Sequence, residues 1–209
     1  MTQPTANCPN CGAKITFRWS GSVQTVCEYC KSVLVRTDLD LQKVGQVADL
    51  PLNSSPIQIG TEGVYGRRTF VVIGRIIYEY DQGNWNEWHL VMNDGASGWL
   101  SDAQLDYAIT FAAPGQKLPG ECKIGQQYTW DNQAYSVSTI TKAHYCGVEG
   151  ELPFQYWDKS DVVFVDLMSH TNKFATIDYS ENPPILFLGE AVDFENLKLK
   201  NLRSFERWS

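Results

Sequence analysis

Residues 69–101, TFVVIGRIIYEYDQGNWNEWHLVMNDGASGWLS, carry the pattern on which the fold turns. Short β-branched and aromatic runs alternate with breaks that contain glycine and asparagine, which is the mark of strands joined by tight turns and not of helices. Thr69 to Tyr80 reads as one long strand, or as two broken at Gly74. Trp88 to Met92, the turn Asn93-Asp94-Gly95 and Gly98 to Ser101 read as a hairpin, because Asp-Gly suits the backbone of a tight β turn. Tyr107 to Phe111 alternates as a further strand.

The order of signals recurs beyond the break Ala113 to Gly120. Gly60 precedes Phe70-Val71-Val72 by ten residues, and Gly125 precedes Tyr135-Ser136-Val137 by ten. His89 to Met92 has a counterpart in Val162 to Val165, and Gly98 to Asp102 has one in Phe174 to Asp178, with an insertion around Val148 to Asp158. Two copies of one small β module are expected, the alternative being a single meandering sandwich. Phe194 to Phe205 suits a short helix or a strand.

Upstream, Cys8-Pro9-Asn10-Cys11 and Cys27-Glu28-Tyr29-Cys30 form two C-x-x-C pairs separated by 15 residues. That spacing aims four thiolates at one tetrahedral ion, and small residues after each pair, Gly12 and Ser32, let backbone amides approach the sulfurs. Cys8, Cys11, Cys27 and Cys30 are therefore the expected ligands of one structural Zn²⁺. A catalytic zinc would keep an open position and use His or carboxylate ligands, and a redox pair poorly explains two matched motifs. Ile15 to Trp19 and Val23 to Val26, flanking Ser20-Gly21-Ser22, read as the hairpin of a zinc ribbon.

The expected architecture is mainly β: a zinc ribbon over residues 1–36, a linker 37–56, one module over 57–112, a linker 113–121, a second small sheet or barrel-like module over 122–194, and a tail 195–209 that holds a short helix at most.

Charge narrows the function. The 209 residues carry 17 Lys and Arg against 24 Asp and Glu, a net charge of −7. The ribbon has four bases and one acid, a formal +3, so the remainder stands at −10; zinc and four thiolates bring the ribbon itself to about +1. Nucleic acid is discouraged as a partner, since it needs a positive footprint. No apolar run is long enough to insert into a bilayer, and the first residues show no secretory signal, so a cytoplasmic, reducing location is expected. In that setting Cys122 and Cys146 read as small apolar residues.

Between Arg75 and Lys117 there is no Lys or Arg but six acids, interleaved with aromatic residues. Trp85, Glu87 and Trp88 in the first module, and Glu149, Glu151, Tyr156 and Trp157 in the second, are the candidate binding residues, because a π face beside a carboxylate favours positive charge. The bland alternative makes the rings core and the acids solvated turns. Pairs such as His89 with Glu87, or His144 with Glu149, lack the spacing of a nucleophile elbow, phosphate loop or metalloprotease. No catalytic residue is assigned, and binding is expected rather than catalysis.

Cys8 to Val35, Gly83 to Gln104 (GNWNEWHLVMNDGASGWLSDAQ), Gly147 to Tyr156 and Phe174 to Gly189 resemble an uncharacterised bacterial family in which a four-cysteine ribbon precedes one or two copies of a β-rich domain, the domain of unknown function 4178. The resemblance implies no established activity. Genes of that family often lie beside ones for polyamine-synthesis-type enzymes and small membrane proteins, which implies a place in a multi-protein system. The expectation is a zinc-ribbon adaptor whose acidic, aromatic-rich module loops bind a protein partner, basic or membrane-associated. The alternative is a site for a cationic amine such as a polyamine, or an enzymatic site, formed by Glu87, Glu151 and nearby aromatics.

Overall fold

The structure, a computed structural model, describes residues 4–37, 40–47, 55–155 and 161–204. Tyr156 and Trp157, much of the expected linker 37–56 and the last five residues of the tail lie outside them.

In the N-terminal region β1 (Thr5–Asn7) pairs with β2 (Lys14–Thr16), and β3 (Gln24–Val26), β4 (Ser32–Arg36) and β5 (Leu41–Gln46) form a second antiparallel ladder. The expected hairpin between residues 15–19 and 23–26 is thus corrected: the two strands belong to different ladders. The reason is tertiary. The chain between them turns at Trp19 O, which accepts from Ser22 N–H at 3.3 Å, and offers its next polar groups to the body of the protein instead of to a partner strand. Strand β5 also takes residues 41–46 out of the expected linker.

The body has ten strands in two runs of five. The first run is β6 (Glu62–Tyr65), β7 (Arg68–Tyr80), β8 (Gly83–Met92), β9 (Ser97–Ala103) and β10 (Asp106–Ala112). The second is β11 (Gln127–Trp130), β12 (Gln133–Leu152), β13 (Asp161–Met168), β14 (Lys173–Asp178) and β15 (Ile185–Ala191). Within each run every strand pairs antiparallel with the next. Strand β10 then pairs with β15, and β12 pairs with β7. The eight strands β7, β8, β9, β10, β15, β14, β13 and β12 therefore close into one antiparallel ring, a barrel to which each run supplies half.

Closure removes exposed edges and requires close backbone approach at both seams. At the β10–β15 seam a Cβ on Gly189 would stand 1.8 Å from Ile109 O, and at the β7–β12 seam one on Gly74 would stand 1.9 Å from Glu151 O. Only glycine fits either position.

Outside the ring the halves are packed alike. Phe70, Val72, Trp88, Leu90, Leu100 and Ile109 bury their side chains against Ile57, Leu197 and the short 3-10 turn Phe194–Leu197, which is all that forms of the expected C-terminal helix among the described residues. Val137, Val165, Leu167, Ala175 and Ile177 pack on the other half under Trp130, Leu118 and Tyr179. On β13 and β14 the inward residues stay partly accessible while the outward ones are buried. Along β14 Ala175 and Ile177 are buried, whereas Phe174, Thr176 and Asp178 are not. The barrel thus carries an apolar layer on each outer face, while inside the ring a buried cluster of Ile76, Tyr78, Trp85 and Trp99 stands opposite a partly accessible wall on β13 and β14.

This alternation corrects one sequence correspondence. Matching Gly98–Asp102 to Phe174–Asp178 is one residue out of phase, since Trp99 and Phe174 both face inward while Asp102 faces outward, bonded by Ser55 Oγ at 2.5 Å and Trp88 Nε1 at 3.4 Å. A slip of one residue exchanges the faces of a strand.

Candidate functional site

Alternate residues of all eight barrel strands line a cavity of about 1760 Å³. An eight-stranded barrel is wide enough for side chains to fill it or for a small ligand to occupy it, and here the inward faces leave space. Among the described residues, eight carboxylates line the cavity and its rims, against one ammonium, Lys142. That ammonium is already paired, 2.5 Å from Asp161 Oδ2.

Three of the carboxylates project from strand faces inside the ring: Glu87 on β8, Asp166 on β13 and Asp178 on β14. Strands β8 and β14 are separated by three strands on either side, so Glu87 and Asp178 occupy opposite walls. Glu87 accepts from Trp85 Nε1 at 2.9 Å. Burial, reinforced by the charges of Asp166 and Asp178, pushes its carboxyl up to about 8 in spite of the hydrogen bonds from Trp85 and Ser101. Burial raises Asp166 to about 6, and it also raises Asp178, which accepts from Ser180 N–H at 2.8 Å. Among the described lining residues no unpaired cation stands ready to ionise these acids.

Aromatic rings surround Glu87. Tyr78 stacks on Trp85 with centroids 5.0 Å apart, Phe164 meets Tyr78 edge-on at 4.9 Å, and Tyr80 meets Trp85 edge-on at 5.4 Å. Their faces and the carboxylates are the groups that attract a cation.

The other sequence candidates go elsewhere. Trp88, 0% exposed and within β8 rather than a loop, points outward under Arg75, whose guanidinium stands 4.9 Å from its ring; Trp85, 9% exposed and also within β8, stays in the cavity wall. Glu149 is bound to Arg75 at 2.8 Å. Glu151 does not share a site with Glu87: it is buried where the N-terminal region docks, accepting from Arg18 N–H at 2.8 Å, Trp19 N–H at 3.4 Å and Ser22 Oγ at 2.5 Å. His89 is likewise structural. Its Nδ1 lies 2.8 Å from Glu151 O and its Nε2 2.8 Å from Ser97 Oγ, which requires the Nδ1–H tautomer, and burial lowers it to about 4. His144 pairs with Asp161 at 3.3 Å, not with Glu149.

Asp166 and Asp178 are the residues that sequence reasoning missed. The signal was present in Phe164 to Met168 and Phe174 to Asp178, where an acid shares a strand face with an aromatic residue.

The four cysteines form a second, separate cluster. Gly12 N–H donates to Cys8 O at 2.8 Å and Lys31 N–H to Cys27 O at 2.9 Å; Cys8 N–H donates to Ala13 O and Cys27 N–H to Ser32 O. The two knuckles thus repeat one geometry, with Gly12 and Lys31 both at positive φ. Lys31, not Ser32, is the counterpart of Gly12. The four sulfurs lie within 4.8 Å of one another, with Cys8–Cys30 and Cys11–Cys27 each at 3.7 Å. Thiolates at about 2.3 Å around a tetrahedral ion stand about 3.8 Å apart, so the cluster can hold one metal ion. Ser32, first through its hydroxyl and then through its backbone, lowers the Cys30 thiol to about 5, whereas Cys11, in spite of a backbone hydrogen bond at Ala13, is raised to about 12 by burial and the three neighbouring thiols.

Fold and site together define a closed β-barrel with an acidic internal cavity, joined to a four-cysteine N-terminal unit. Among protein-family models, the domain of unknown function DUF4178 matches residues 58–194, and the chain belongs to that family. The match begins after the cysteine unit and covers the barrel. No curated protein and no solved structure matches the chain. Among the described residues no helix is long and apolar enough to cross a membrane.

Proposed function

We propose that this protein is a binding protein whose barrel takes up a cationic amine, while one structural zinc ion, held by Cys8, Cys11, Cys27 and Cys30, fixes the N-terminal ribbon against the body. The observation that carries this is the placement of Glu87, Asp166 and Asp178 inside a large cavity in which, among the described residues, the one lining ammonium is already paired. Carboxylates held partly protonated by burial gain most from a ligand that brings the missing charge. The zinc assignment rests on the all-cysteine donor set and its tetrahedral spacing, and it implies a reducing compartment such as the cytoplasm, where thiolates stay available.

The recurrence of one backbone device in both halves supports descent of the barrel from two copies of a module. Gly60 N–H donates to Val72 O and Val72 N–H to Thr61 O; Gly125 N–H donates to Val137 O and Val137 N–H to Gln126 O, at 2.8 to 2.9 Å throughout. An adaptor role through Trp85 and Trp88 gains no support from their burial.

Calorimetric titration at pH 8.5 with butylamine and spermidine, against butyrate as the anionic control, tests the amine site. Saturable heat from an amine, lost in Glu87→Gln, is expected; heat from butyrate alone, or none from any amine, overturns the proposal. Metal analysis of the purified protein should find one zinc per chain, lost in Cys8→Ser or Cys30→Ser.

A further inference from the structure

The cavity is larger than a short amine needs. Ordinary ligand pockets measure about 300–1,000 Å³, and this one measures about 1760 Å³. Its lining is also divided in character: Glu87, Asp166 and Asp178 supply the inner charge, while the partly accessible Phe154, Phe164, Phe174 and Phe187, backed by the buried Tyr78 and Trp85, supply apolar wall. A ligand made of charge alone would leave that wall wetted.

The rim carries a second mark of an apolar ligand. Strand β12 is paired on one edge with β11 over Gln133–Ser136 and with β7 over His144–Gly150, and residues 138–143 between them have, among the described residues, no strand partner on that edge. Residues 138–142 line the cavity at this gap in the ring. Among the described residues, six large hydrophobic side chains are exposed, and Leu105 at 82%, Ile140 at 40% and Met168 at 37% all border the cavity. Exposed apolar groups gathered at an opening mark a path for apolar material rather than a solvated rim. Asp81 and Asp106 border the cavity as well, which disfavours an anionic amphiphile.

We infer that the ligand is an amphiphilic amine, a cationic group on an elongated apolar body, which passes Leu105, Ile140 and Met168 and seats its charge among Glu87, Asp166 and Asp178 with its chain along the aromatic wall. This rests on the amine-binding reading above and narrows it.

The test is a series of n-alkylamines from butylamine to dodecylamine, each below its micelle concentration at pH 8.5, read by intrinsic tryptophan fluorescence and by calorimetry, with dodecanol, dodecanoate and spermidine alongside. Affinity should rise about fourfold per methylene, equivalent to about 0.8 kcal/mol, until the wall is covered. Dodecanol and dodecanoate should bind at least tenfold more weakly than dodecylamine. Ile140→Lys, at an exposed position, should weaken dodecylamine at least fivefold with an unchanged melting temperature. Spermidine binding more tightly than dodecylamine, or an affinity flat with chain length, overturns this inference and leaves the broader amine site standing. Dodecanol or dodecanoate matching dodecylamine overturns both, as does the absence of binding by every amine.

Discussion

The two walls of the barrel share a strand order and an outer packing scheme but turn different chemistry inward. In β7 to β9 the inward residues Ile76, Tyr78, Trp85 and Trp99 are buried in an aromatic cluster that continues to Val26 and Val33 of the N-terminal region. In β13 and β14 the inward residues Phe164, Asp166, Thr176 and Asp178 stay partly accessible, two of them acids. The lesson is where the stability lies. Each half has an apolar layer on its outer face, and in the second half that layer leaves the inner face of β13 and β14 free to carry groups that would weaken an ordinary core.

Removing outer packing should therefore cost more than removing inner lining. Trp88→Ala, which empties a fully buried site of the outer layer, should lose about 3–5 kcal/mol of unfolding free energy in urea titration. Trp85→Ala, facing the cavity, should lose visibly less; an equal loss would erase the distinction between the faces. Next in size is the joint between the walls. Gly189→Ala should cost about 3 kcal/mol by forcing the β10–β15 seam apart, while Gly120→Ala, with open space around it, should change stability by less than about 1 kcal/mol.

A smaller effect separates the inner acids from their surroundings. Folded Glu87 keeps its proton up to about 8, whereas in the unfolded chain it ionises near 4.5, so between these values the folded state binds more protons and stability falls as pH rises. Asp166, raised to about 6, acts in the same direction but at lower pH; neutral His89, held to about 4 against 6.5 when unfolded, acts oppositely below about 6.5. Between pH 6.5 and 8 the ligand-free protein should thus lose about 1–2 kcal/mol, and Glu87→Gln should flatten that slope. A slope unchanged in the variant would place the titrating group elsewhere. Smallest is Asp178→Asn, which removes a disfavoured charge and should stabilise the empty protein by about 1 kcal/mol or less while weakening amine binding, as chemical denaturation and calorimetry would report.

Much of the framework was legible in the chain. The hairpin at Asn93-Asp94-Gly95 formed as β8 and β9, with Gly95 at positive φ, and Thr69 to Tyr80 formed one strand whose register shifts just before Gly74. Of the candidate residues Trp85 and Glu87 reached the cavity. Glu151 and Trp88 did not, because composition near a strand cannot say which face meets another layer. Glu151 sits beside a seam, where its carboxylate meets backbone amides more than a hundred residues away.

The amino-acid sequence by itself determined the local matters: strand periods, turn positions and the cysteine spacing, all set by interactions within a few residues. Only the tertiary structure decided that the two runs close on each other through Gly74 and Gly189, and that Glu87 faces Asp178 across the ring. Closure depends on pairings between strands far apart in the chain, and a period of two marks alternate faces without saying which one becomes the inside.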